Sequence, residues 1–155
     1  MTEAHRRSLG VAALVAVCGL LLGACGAAQP GLTATGPDQR TAIALTREEA
    51  RHLRRGMRIF LESVQGIIDG ANRNDMRQVA ASADRSGMGL VEDLTFADVL
   101  KLPPEFVALS LDTHQKFAAL ARTAREGAGK KQVMEDLGWI LTNCTACHAS
   151  YRLSR

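Results

Sequence analysis

The chain has 155 residues, 46% of them hydrophobic and 4% aromatic, with a formal net charge of +3. That length leaves room for one domain. Six aromatic side chains and no basic run offer neither a stacking platform for bases nor a stripe for phosphates, which argues against nucleic acid as a partner.

Residues 5 to 25 begin with His5-Arg6-Arg7, continue as an apolar run from Leu9 to Leu22 and close on the small residues Gly23 and Ala24 before Cys25. This is the anatomy of a secretory signal. The run is too short for a comfortable span, which needs about 20 apolar residues. Leu22-Gly23-Ala24-Cys25 resembles the bacterial lipobox, so residues 1–24 read as a lipoprotein signal peptide and Cys25 as the acylated first residue of the mature chain. The bland alternative is an incidental Cys25 with cleavage a few residues later. Loss of Glu3, Arg6 and Arg7 with the signal lowers the charge from +3 to +2. Lipid chains at Cys25 would hold the domain on a membrane surface without a spanning helix.

Residues 25–45 are rich in Gly, Pro, Thr and Ala without apolar periodicity and read as a flexible tether. Thr46-Arg-Glu-Glu49 then matches a capping box. The apolar positions Leu53, Met57, Phe60, Leu61, Val64, Ile67, Ile68 and Ala71 continue it at helical spacing. A shorter second helix starts at Asn74 or Asp75, buries Met76, Val79, Ala80 and Ala83, and ends at Ser86-Gly87. Met88 to Leu102 reads as a long crossover loop with a turn of helix. Pro103 and Pro104 open a third helix bearing Phe106, Leu109, Thr113, Phe117, Leu120 and Ala124. Gly127-Ala-Gly129 separates it from a fourth, with Val133, Leu137, Ile140, Leu141, Cys144 and His148 on one side. No stretch alternates with period two long enough for a sheet. The expectation is an all-α chain, an antiparallel four-helix bundle over residues 46–155.

Cys144-Thr145-Ala146-Cys147-His148 is the pattern of c-type haem attachment. Residues three apart share a helix face, so both thiols reach the two vinyl groups on one porphyrin edge. The next residue, His148, is then placed to ligate the iron. A thioredoxin-type dithiol expects a helix N-terminus in a βαβ setting. A structural zinc site expects a second ligand pair, whereas His52 and His114 are isolated. One covalent haem c is the cofactor expected. Trp139 is expected to pack against it or against the bundle, and Tyr151 to close its crevice. His114, at the edge of the third helix's stripe, reads as a capped or partly exposed histidine, the alternative being a second ligand or a distal proton donor.

A helical domain with this motif near its C-terminus, continuing through Tyr151 and Arg152, resembles the class II c-type cytochromes, cytochrome c-prime and its low-spin relatives. The resemblance covers Thr46 to Arg152 and is specific at residues 144–152. It implies a haem edge between helices of the bundle, His148 as proximal ligand, Arg152 near that imidazole, and a distal residue from the first helix. It also implies a possible homodimer through the first two helices. Met57 is the residue so placed, although a Met on an apolar stripe also serves as core filler. The family sets an Arg four residues before its distal residue for a haem propionate; here Leu53 stands there, and Arg54 is the nearest substitute, if it is not simply part of a solvated face.

The implied function is single-electron transfer between redox partner proteins, by a lipid-anchored domain on the periplasmic side of a bacterial membrane, without catalysis. The alternative is a five-coordinate protein that binds nitric oxide or carbon monoxide.

Overall fold

The computed structural model describes residues 37–92 and 95–154. Residues 1–36 lie outside them, and with them the signal segment and Cys25. The described chain from Gln39 onward forms one unit, and it is mostly helical. In order it comprises β1 (Thr41–Ile43), α1 (Arg47–Asn72), α2 (Met76–Asp84), a 3-10 turn (Met88–Leu90), α3 (Phe96–Leu100), α4 (Pro104–Arg125), α5 (Lys130–Ser150) and β2 (Tyr151–Leu153). No described helix is long and apolar enough to cross a membrane.

The helix ends follow local chemistry. Thr46 and Glu49 close the capping box on α1, the Glu49 backbone N–H donating to Thr46 Oγ1 at 3.2 Å and the Thr46 N–H to Glu49 Oε2 at 2.8 Å. Lys101, whose Nζ donates to Glu49 Oε1 at 2.8 Å, is the main reason that carboxyl falls to about 2. Asp75 caps α2 by accepting from the Gln78 N–H at 3.0 Å. Pro104 opens α4, and Gly127, at a φ of 92°, takes the left-handed conformation that ends it.

Helix α1 packs on α2, α2 on α4, α4 on α5, and α5 on α1. Ile67, Ala71, Val79, Ala83, Phe117 and Leu120 meet Val133, Leu137 and Ile140 in the core these helices share. Phe60 stacks on Phe117 with ring centroids 5.4 Å apart. The approach of α1 and α2 depends on small residues. A Cβ on Gly70 would lie 2.9 Å from Val79 Cγ2 and 3.0 Å from the Asp75 carbonyl oxygen. Ser86 Oγ donates to Ser63 Oγ at 2.8 Å across the same boundary, with both residues buried.

The start of the folded unit differs from the sequence expectation. Residues 41–43, inside the segment read as tether, form β1, which pairs in parallel with β2 in the register Thr41 to Tyr151, Ala42 to Arg152 and Ile43 to Leu153. Ile43 is 3% exposed. The folded unit therefore begins near Gln39 rather than at Thr46. Three residues are too few to show a period-two pattern, and their partner lies at the far end of the chain.

Candidate functional site

Helix α5 carries the motif. Its buried Val133, Leu137 and Ile140 are spaced by four and three, and the same interval leads on to Cys144 and Cys147. The two thiols therefore share a face one turn apart. Both are free and half-buried, and Cys144 packs against the core. His148 is exposed and sits one turn beyond Cys144.

Burial pushes both thiols above their ordinary pKa, and the neighbouring Cys144 raises Cys147 further. A thiol-disulfide exchange pair needs the opposite shift, from a helix N-terminus or a nearby cation. Here the pair lies in the last turns of α5, at the negative end of the helix dipole. Among the described residues no three His, Cys, Asp or Glu side chains gather as a metal site, so the ligand set of a structural zinc centre is not assembled there.

Which face of α5 looks where follows from its hydrogen bonds. Asn143 Nδ2 donates to Asp112 Oδ2 at 2.6 Å and to Thr113 Oγ1 at 3.2 Å, and Thr123 Oγ1 donates to Asp136 Oδ2 at 3.4 Å. These bonds put Asp136 and Asn143 on the α4 side. At about 100° per residue, Met134, Leu141 and His148 fall on the other edge, toward α1. On α1, Ser63, Gly66 and Gly70 face α2. Met57, Leu61, Val64 and Ile68 fall on its opposite edge, toward α5.

The two helices run antiparallel. Lys130 Nζ, at the start of α5, donates to Asn72 Oδ1, at the end of α1, at 2.9 Å. At the other end β1 leads into α1 while its partner β2 leaves α5. Stepping back along α1 and forward along α5 at equal rise brings Ile68 level with Met134, Leu61 with Leu141, and Met57 with the turn Cys144 to His148. Exposure singles out this seam. Leu61 is 70% exposed, and Ile68, Met134 and Leu141 are 37%, 42% and 41% exposed. Four of the eight exposed large apolar side chains among the described residues thus fall on the facing edges of α1 and α5. Two thiols and an imidazole stand at the end of this seam on α5, the residue types that a c-type haem attachment uses.

The remaining candidates are placed as follows. Met57 is half-buried. Arg54 is exposed on α1, next to Leu61 round the helix. Arg152 lies half-buried in β2, two residues past the end of α5. Tyr151 meets Phe106 edge-on at 5.3 Å. Trp139 is 65% exposed, on the side of α5 away from the seam. His114 is 3% exposed rather than partly open. Its Nδ1 lies 2.8 Å from the Ser86 carbonyl oxygen, and its ring meets Phe60 at 5.0 Å. A carbonyl only accepts, so Nδ1 carries the proton.

Sequence reasoning missed the strap that closes the far end of α5. Arg40 Nη1 donates to the His148 carbonyl oxygen at 3.3 Å, and the Ser154 N–H donates to the Ile43 carbonyl oxygen at 3.0 Å. No family model, curated protein or solved structure matches the chain.

Proposed function

We propose that the chain is a mono-haem c-type cytochrome in which α1, α2, α4 and α5 make an antiparallel four-helix bundle, and that it carries single electrons. The observation that supports this most is the alignment of Met57 with the turn bearing Cys144, Cys147 and His148 across an apolar seam. Thioether bonds from the two Cys Sγ atoms would hold the group, and the His148 imidazole would ligate on one side. A haem so held supplies a one-electron iron centre. Met57, reaching from α1, would ligate on the other, and a thioether favours the reduced state. Arg54 and Arg152 are the cations available to propionates. Leu61, Ile68, Met134 and Leu141 would exclude water from the ring faces.

In this reading Cys25 anchors the domain by lipid to the periplasmic side of a bacterial membrane, redox proteins are the partners, and α1 with α2 offer the surface for a homodimer. A second reading, binding of nitric oxide or carbon monoxide at five-coordinate iron, draws on the apolar surroundings of Met57. Leu53, Phe60 and Val64 would leave the sixth position empty if the thioether turned away.

The reduced absorption spectrum with and without carbon monoxide separates the two. A low-spin spectrum unchanged by carbon monoxide supports Met57 ligation, and Met57→Ala then converts it to high spin with ready carbon monoxide binding. A high-spin wild-type spectrum that shifts with carbon monoxide rejects the electron-carrier reading in favour of the second.

A further inference from the structure

The first half of α1 holds Arg47, Arg51, Arg54, Arg55 and Arg58, all exposed. Spaced by three and four, they do not form a run in the sequence, but the helix gathers them on the side turned away from the core. Five arginines stand against Glu48 and Glu49 in this stretch, a surplus equal to the whole chain's formal net charge of +3, and Glu49 is itself engaged by Lys101 at 2.8 Å.

None of the five makes an ion pair among the described residues, whereas Lys101, Lys116, Arg125 and Lys131 each do. Like charges three and four apart on a helix repel, so the fold holds together a cluster that it does not neutralise. Gln78 of α2, and Arg85 and Ser86 just after it, bond to α1 at Gly66, Glu62 and Ser63, so among the described residues these bonds meet α1 beyond its arginine half. All four lysines of the chain lie elsewhere. A planar guanidinium fork matches a carboxylate in two parallel hydrogen bonds, which an ammonium does not.

We propose that the Arg47–Arg58 face of α1 is the docking surface for a protein partner that presents a carboxylate-rich patch. The proposal rests on the electron-carrier reading, since it sets the partner against the helix that bears Met57, about one helix diameter (~10 Å) from the seam. A bilayer fits less well: a helix lying on lipid buries an apolar face beside its basic one, whereas on the electron-carrier reading the exposed Leu61 and Ile68 of α1 are turned to the haem. Opposed charge of this kind acts chiefly on the encounter rate and is screened by salt.

The test uses the full chain and a fluorescent poly-glutamate peptide, read by anisotropy at low and high salt. The variant Arg51→Gln, Arg55→Gln, Arg58→Gln spares Arg54. The control Arg77→Gln, Arg122→Gln, Lys131→Gln removes the same charge from other surfaces. The proposal expects the first variant to lose about tenfold in affinity and the control less than about twofold, with binding abolished by high salt. Equal losses in both, or none in either, overturn it. A second arm measures partition between phosphatidylcholine vesicles and vesicles half phosphatidylglycerol. Arginine-dependent preference for the anionic vesicles, with peptide affinity unchanged in the α1 variant, assigns the face to the membrane and also overturns the proposal. Should the Gln variant lose its helical circular dichroism, the Arg→Lys triple replaces it; a severalfold loss supports the fork, and an unchanged affinity rejects it. Absence of haem shows in the absorption spectrum and leaves the anisotropy readout intact, so failure of the cytochrome reading is told apart from failure of the docking face.

Discussion

Arg40 Nη1 donates to the main-chain carbonyl of His148 at 3.3 Å, across 108 residues of sequence. With the pairing of β1 and β2 and the bond from Ser154 to Ile43, it fastens the chain entering the domain to the turn that carries the motif. The backbone at the end of α5 is thereby tied to the chain that enters α1.

The strap's apolar anchor is Ile43, at 3% exposure. Ile43→Ala is expected to destabilise the domain by about 2–4 kcal/mol, as core truncations of this size do. Arg40→Ala, which removes the exposed hydrogen bond to His148 among its interactions, is expected to cost less than Ile43→Ala. Urea unfolding followed by circular dichroism checks both.

The contact of α1 with α2 predicts opposite outcomes at two glycines. Gly70→Ala places a methyl 2.9 Å from Val79 Cγ2 and 3.0 Å from backbone atoms of Asp75 and Val79, and should cost about 1–3 kcal/mol by overpacking. Gly138→Ala, on α5 with nothing within 4 Å, should gain about 0.5–1 kcal/mol through helix propensity. Midpoints of thermal unfolding report the two signs.

Burial pushes His114 below its ordinary value of 6.5, against the backbone bonds at Ser86 and Gly87 that favour its charged form. The unfolded chain then takes up a proton at a higher pH than the folded one does. Stability from this group is fully present above the unfolded value and declines as pH falls below about 6.5 toward the folded value. Asp112, held low first by Lys116 and then by Asn143, adds its own loss only in the more acidic carboxylate range. Urea unfolding at about pH 7.5 and pH 5.5 should show the wild type weaker at the lower pH. His114→Gln should flatten that difference, and an undiminished slope in the variant would assign it to other groups.

Most helix boundaries were legible in the sequence because their signals are local. The capping box at Thr46, the cap at Asp75, the proline pair before α4 and Gly127 after it each act through their own backbone neighbours. The strap was not legible, since Ile43 and Leu153 acquire a partner only when α1 and α5 bring the chain ends together. His114 is more deeply covered, and Trp139 more exposed to solvent, than the sequence expectation for a similar reason. A residue beside an apolar stripe is covered or bare according to which helix arrives there. Here α5 leaves Trp139 to solvent, while the segment after α2 folds over His114. The Cys and His motif was plain in one dimension; the antiparallel course of α1 and α5 that puts Met57 level with it belongs to the tertiary structure.

The central claim, covalent haem on α5, is tested most directly by expressing the full chain in a host that matures c-type cytochromes and staining a denaturing gel for haem peroxidase activity. The account predicts haem that stays with the unfolded polypeptide and is lost from the double variant Cys144→Ala, Cys147→Ala. A wild-type chain that carries no haem on the gel, or one whose haem is unaffected by removing both cysteines, would contradict it.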